Sequence, residues 1–258
     1  MKHIKKKFLL SLKLEKDAQE YLKTVESDKK VIDNIIKQDF KDYVPHVITE
    51  DGSFIQTFKY KRNNKTLFVP EPNPIVIYFS NSQVFLKSLN DSRNELFEDL
   101  TKNNDVGNVL NASYRFFGFA STFVTSLFNA LEAFINSQIP NDFEYKKADK
   151  KSTEIFNKEQ IQRYIQFDEK IKKVVPQITN KSFHRHYSHK FEILKKFKDL
   201  RDKVVHTKAD QKTTPNYYQN LFTELLDFDY NQTILTTKDY INYYQENLIE
   251  KCDCGQDY

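Results

Sequence analysis

Arg201 and His206 stand five positions apart in the stretch Lys198-Asp-Leu-Arg-Asp-Lys-Val-Val-His-Thr207, with Asp202 between them. An arginine keeps its proton and grips phosphate oxygens through a planar fork, whereas a histidine moves a proton near neutral pH. Together they suit chemistry on a phosphodiester. Cleaving RNA without a metal needs a base for the ribose 2′-hydroxyl and a cation for the charge that builds on phosphorus. His206 is the candidate base or acid, and Arg201 the candidate oxyanion stabiliser. Asp202, one helical turn before His206, is spaced to orient the imidazole or to favour its charged form. On an ideal helix Arg201 lies about 140° around from His206. The two therefore reach one ligand only if the helix deforms, if the arginine arm swings over, or if a second copy brings its own motif across a dimer axis. The plainer readings are an ion pair of Arg201 with Asp199 or Asp202, and a helix-terminal cation at His206.

The charge around this stretch points the same way. Residues 181–212 hold ten Lys or Arg against four Asp or Glu, a local excess of +6 in a chain of net charge +4, so the remainder carries −2. A basic excess over Arg201 and His206 fits a polyanion such as RNA, with Lys203, Lys208 and Arg185 as candidate substrate contacts. It also fits a solvated lysine-rich face.

The elements that must position these residues are helical. The sequence has 258 residues with 4 Gly, 7 Pro and 29% charged residues, a composition that leans toward helix, and 22 Phe with 15 Tyr can fill a substantial core. Leu110, Tyr114, Phe117, Ser121, Val124, Phe128, Leu131 and Ile135 recur at steps of four and three, which predicts a long helix with a buried stripe, ended by Pro140. Beside it runs a polar row, Thr125, Asn129, Glu132 and Asn136, which either faces water or lines a polar cleft shared with Arg201 and His206. Glu132 and Asn136 could hold the arginine or the ribose, and Asn129 joins them as a candidate substrate contact. After a lysine-rich loop from Tyr145, Asn157 and Gln160 form a capping box that opens a helix closed by Pro176. Phe183–His206 predicts the helix that carries the motif, with Tyr187, Phe191, Leu194, Phe197, Leu200 and Val204 as its core face. Thr214-Pro215 starts another, and Thr236–Glu250 a last one.

Upstream, the pattern is mixed. Lys5–Leu14 alternates like a strand, Asp17–Asp42 reads as one or two amphipathic helices, and Ser53–Val69 reads as a hairpin turning at Asn63-Asn64. Ile75–Phe79 is a short buried-strand candidate, and residues 100–108 carry the turn signals of a linker or a helix-to-helix loop. The expected fold class is therefore mainly α: a small α+β region over 1–100, a helical bundle over 109–250 and a tail over 251–258.

Arg201-Asp202-x-x-x-His206 resembles the Arg-polar-x3-His motif of HEPN domains, helical bundles of prokaryotic defence and toxin–antitoxin proteins. Leu127-Phe-Asn-Ala-Leu-Glu-Ala-Phe-Ile-Asn136 is similar to the early helix of such domains, which carries a polar residue facing the motif. The resemblance covers residues 109–250 and leaves 1–100 outside. It implies a metal-independent endoribonuclease without cofactor, catalytic through Arg201, His206, Asp202 and Glu132, dimeric, with two motifs meeting at the interface. It also implies a role in defence or abortive infection and a regulatory or antitoxin partner. Other HEPN-like domains are non-catalytic RNA-binding, nucleotide-binding or dimerisation modules, and that alternative stays open beside a partner-binding structural protein.

Two further clusters are visible. His184, His186 and His189 fall within six residues, and Cys252-x-Cys254 closes the sequence. One residue between cysteines is tighter than the usual zinc spacing, so no metal is expected; the histidines read as surface residues, with or without RNA contact. The amino-terminal apolar stretch is broken by Lys13 and meets Glu15, unlike an export signal, and no apolar run is expected to reach the ~18 residues of a membrane span. A reducing cytoplasm and no membrane are the expectations.

Overall fold

In the computed structural model the described residues are 2–10, 12–13, 44–102, 105–148, 152–208 and 218–255. They are mainly helical, with a small antiparallel sheet toward the amino-terminal side. Their contacts divide the chain into two units, residues 6–73 and residues 1–5 with 74–258, so the boundary falls at 73/74 rather than near residue 100.

The smaller unit is built on one long strand. Strand β1 is Leu12–Lys13, β2 His46–Ile48, β3 Ser53–Arg62 and β4 Lys65–Pro70. β3 pairs with all three: Leu12 lies opposite Phe54, Val47 opposite Ile55, and Lys65–Pro70 returns along Thr57–Arg62. Asn63 and Asn64 take φ of 48° and 60°, the paired left-handed conformation that lets a two-residue turn follow the strand twist. The expected strand over Lys5–Leu14 is interrupted, because Phe8 makes only an isolated bridge to Pro72 and Leu10 turns at φ 51°. The helices expected over Asp17–Asp42 and the helix start at Thr214-Pro215 lie outside the described residues.

In the helical unit, α1 (Pro74–Thr101) and α2 (Val106–Ser137) are joined by a short connection and run antiparallel, with Phe85 against Phe119 and Arg115 paired to Glu95. Ile75–Phe79 is thus the first turn of a helix and not a strand. Its buried face continues at helical spacing through Gln83, Leu86 and Leu89. Asp105 caps α2 by accepting from the Gly107 N–H at 3.2 Å. Phe116, Ala120, Phe123, Leu127, Leu131 and Phe134 carry its buried face. The expected stripe holds from Val124 onward but not before it: Leu110 and Tyr114 are 54% and 82% exposed. By composition alone α2 is long and apolar enough to cross a membrane, and half of its most apolar window is buried inside the protein.

Beyond α2, Tyr145–Ala148 (β5) and Thr153–Phe156 (β6) form a hairpin where a lysine-rich loop was expected. Asn157 and Gln160 do make the reciprocal capping box, opening α3 (Lys158–Tyr164). That helix ends early: α4 (Phe167–Glu169), a π-helical turn (Lys170–Val174) and α5 (Val175–Thr179) follow, and Pro176 sits in the first turn of α5 instead of closing α3. The motif helix is likewise split, into α6 (Phe183–His186) and α7 (Ser188–Val205), at Tyr187 with φ −131° and ψ 59°. Tyr187 is consequently exposed and leaves the core face. α8 (Gln219–Asp227) and α9 (Tyr230–Tyr244) complete the unit, α9 beginning and ending about six residues before its expected bounds. Residues 251–255 are not a loose tail, since Lys251 pairs with Ile4 in an antiparallel bridge.

Candidate active site at the end of the motif helix

α7 lays Phe191, Leu194, Phe197 and Leu200 into the core, packed against α2, with the Phe197 ring 5.7 Å from that of Phe128. Burying Leu200 leaves the next residue, Arg201, at the edge of the contact. Its guanidinium lies 4.5 Å over the Phe128 ring, a geometry in which the ring face attracts the cation. One turn further along α2, Glu132 Oε2 comes to 3.8 Å from Arg201 Nη2. Asp202 supplies the other carboxylate: its Oδ1 accepts from Arg201 Nη1 at 3.1 Å, and its Oδ2 meets Lys198 Nζ at 3.0 Å. Burial pushes the Asp202 carboxyl up, but the hydrogen bonds from Lys198 and Arg201 outweigh it and hold the group below the usual carboxylate range. Asp202 therefore spends its side chain on Arg201 and Lys198. Towards His206 it offers the backbone carbonyl, which accepts the His206 N–H at 2.9 Å.

At its far end the polar row of α2 meets a buried lysine. Asn136 Oδ1 accepts from Lys170 Nζ at 3.2 Å, and the same ammonium donates to the Gln162 carbonyl at 2.8 Å. Lys170 is only 3% exposed. Burial lowers its pKa, with the Glu132 carboxylate acting in the opposite direction. Glu132 thus stands between two cations, Arg201 and Lys170, while Asn129 lies exposed on the same row. Lys170 opens the π-helical turn, in which the Val175 N–H reaches back five residues to the Lys170 carbonyl. The extra residue in that turn buries Lys170, Ile171, Val174 and Val175 together, and such turns recur at functional sites.

His206 ends α7 in a non-helical conformation, φ −109° and ψ 50°, with its side chain exposed. It lines an open groove of about 710 Å³ together with Asp202, Lys203, Lys208, Tyr218 and Glu224. Lys203 Nζ also meets Glu224 Oε2 at 2.5 Å, tying α7 to α8. The helix deforms at His206, yet Arg201 stays on the Phe128 side, so Asp202 is the residue common to the arginine cluster and the groove. Arg185 is elsewhere, in a smaller basic groove with Lys172, Lys173 and Lys181. The three histidines do not converge: His184 Nδ1 meets Ser182 Oγ, His186 Nδ1 meets the Ser182 carbonyl and the Tyr243 hydroxyl, and His189 is exposed.

Sequence reasoning missed three contributors. Phe128 was read as core but also serves as the platform for Arg201. Lys198 shares Asp202 with that arginine, a pairing that its i,i+4 spacing could have shown. Lys170 gave no signal, since a π-helical turn leaves no spacing that marks it. Compared with family models, curated proteins and solved structures, the chain matches none.

Proposed function

We propose that this protein is a metal-independent endoribonuclease of the HEPN type, active as a homodimer. The observation that carries the reading is the end of α7. Arg201 is fixed there by two carboxylates and an aromatic face, and His206 emerges a turn later into an open groove flanked by Lys203 and Lys208. In the proposed reaction His206 removes the 2′-hydroxyl proton, the 2′-oxygen attacks the adjacent phosphorus, and the 5′-oxygen leaves with a proton. The products are a 2′,3′-cyclic phosphate and a 5′-hydroxyl. Arg201 stabilises the charge on the phosphoryl oxygens. Glu132 and Asp202 are positioning residues: they hold the guanidinium fork. Because Arg201 and His206 sit on different sides of Asp202 within one chain, a second copy is needed to complete each site, the Arg201 of one copy facing the His206 of the other.

The test is cleavage of a mixed tRNA and oligoribonucleotide pool in EDTA. His206→Ala is expected to lower the rate about 10²–10⁴-fold and Arg201→Ala about 10²–10³-fold. The exposed His206 side chain supports no core contact, so His206→Ala should keep stability within about 0.5 kcal/mol. Full activity in a well-folded His206→Ala protein would overturn the proposal. RNA affinity that falls steeply with salt, without any product, would identify a binding module instead.

A further inference from the structure

We infer that His3, Cys252 and Cys254 form a binding site for a soft divalent metal ion, zinc by ligand type. In the structure the imidazole and thiol donor atoms of these three residues all lie within 4.8 Å of one another, and His3 Nδ1 is 3.2 Å from Cys254 Sγ. Nitrogen and sulfur donors around a tetrahedral zinc sit roughly 3.5–3.8 Å apart, given zinc–ligand bonds of about 2.0–2.3 Å. The 3.2 Å contact and a ceiling of 4.8 Å on every spacing leave the three donors within a small side-chain adjustment of that figure. Two thiols and an imidazole are a donor set for zinc and not for magnesium or calcium, which take oxygen.

The backbone explains how such a tight cysteine pair works. The chain bends at Asp253 and Cys254, and with that bend the thiols of Cys252 and Cys254, one residue apart, lie close enough to act as a chelating pair. Gly255 follows with φ +76° and open space around its α-carbon, letting the chain turn away. His3 is brought to the pair by an antiparallel bridge. The Lys5 N–H donates to the Glu250 carbonyl at 2.8 Å, the Cys252 N–H donates to the His3 carbonyl at 2.7 Å, and Ile4 is buried in the core with 1% exposure. On the other side of this segment, Gln83 Nε2 donates to the Lys2 carbonyl at 2.8 Å. Two of the ligands are thus held in place before any metal arrives. Cys254 is the exposed one and gives the ion its entry.

Zinc bound here coordinates two thiolates and the neutral imidazole, and binding releases two thiol protons to solvent. The fourth tetrahedral position goes to water. The ion clips residue 3 to residues 252 and 254, a closure that spans nearly the whole chain and stabilises the fold by restricting a long loop in the unfolded state.

The test uses tag-free, full-length protein kept reduced with a phosphine, treated with EDTA and desalted, then titrated with cobalt(II). A sulfur-to-cobalt charge-transfer band saturating at one ion per chain and bleached by added zinc is expected. Zinc affinity, read by competition with a chromophoric chelator, should fall at least tenfold in His3→Asn, in Cys252→Ser and in Cys254→Ser. Zinc should raise the thermal midpoint of the wild type and not that of Cys254→Ser, whose exposed position keeps the variant folded. Absence of the band, or zinc affinity unchanged in Cys254→Ser, would overturn the inference.

Discussion

Arg201 is gripped by groups that do different things to it. Phe128 offers a ring face, Asp202 a hydrogen bond at 3.1 Å, and Glu132 a carboxylate at 3.8 Å. A lysine in its place would keep the charge but lose the planar fork that both carboxylates and a phosphate engage. Arg201→Lys should therefore lose nearly as much cleavage as Arg201→Ala, read in the same assay; near-normal activity would show that only a point charge is required. Lys170 invites a different test, because its burial is felt as a shifted titration. Its folded pKa lies below the ordinary 10.5, so as pH rises the folded state sheds this proton before the unfolded chain does. Stability must then increase across that interval, the unfolded state binding more protons. The stability of wild type relative to Lys170→Met is expected to grow as pH climbs through the lowered value and to level off above 10.5. The difference between the two proteins cancels the tyrosines, of which Tyr145 and Tyr244 are pushed up to about 12, chiefly by burial. A flat difference across alkaline denaturation curves would contradict the assignment.

At the scale of the elements, caps and turns do what their residues dictate. Asn157 accepts from the Gln160 N–H at 3.0 Å while the Gln160 side chain accepts from the Asn157 N–H at 2.9 Å. Asn157→Ala should cost about 1 kcal/mol in urea unfolding, with no loss of secondary structure elsewhere; no measurable cost would mean that α3 is set by packing alone. This capping box, the Asn63-Asn64 turn and the later half of the α2 stripe were legible in the sequence, since each rests on local chemistry. Ile75–Phe79 was not. Five apolar residues after spaced prolines read equally as a buried strand, because the next buried positions, Ser82 and Gln83, are polar by type and hide the helical spacing that Leu86 and Leu89 resume. The last helix was placed too late for a related reason: it buries Thr233, Thr236 and Thr237, residues that a search for apolar periodicity passes over. The β5–β6 hairpin is not marked by apolar alternation, because most of its strand residues are exposed and backbone pairing defines it. Of the candidate site, Glu132 lies beside Arg201, as the polar row suggested, but the Asp202 side chain, expected to turn toward His206, serves Arg201 and Lys198. Asn136 turned out to serve the buried Lys170, and Arg185 to belong to another groove.

For the whole molecule, the proposed nuclease and the proposed zinc clip make separable demands on EDTA. Cleavage is expected to persist with chelator present, whereas the thermal midpoint should drop when zinc is removed; Cys254→Ser, assayed in parallel, keeps the two effects apart. The central claim is that one site is shared between two copies, and complementation tests it most directly. Arg201→Ala and His206→Ala proteins, each inactive alone, are unfolded together, refolded as a mixture and assayed for RNA cleavage in EDTA. In a mixed dimer with shared sites one site has lost both residues and the other has lost neither, so the mixture should recover about a quarter of wild-type activity. A mixture that forms mixed dimers yet stays as inactive as its components would show that each chain builds its site alone, and would contradict the shared-site nuclease.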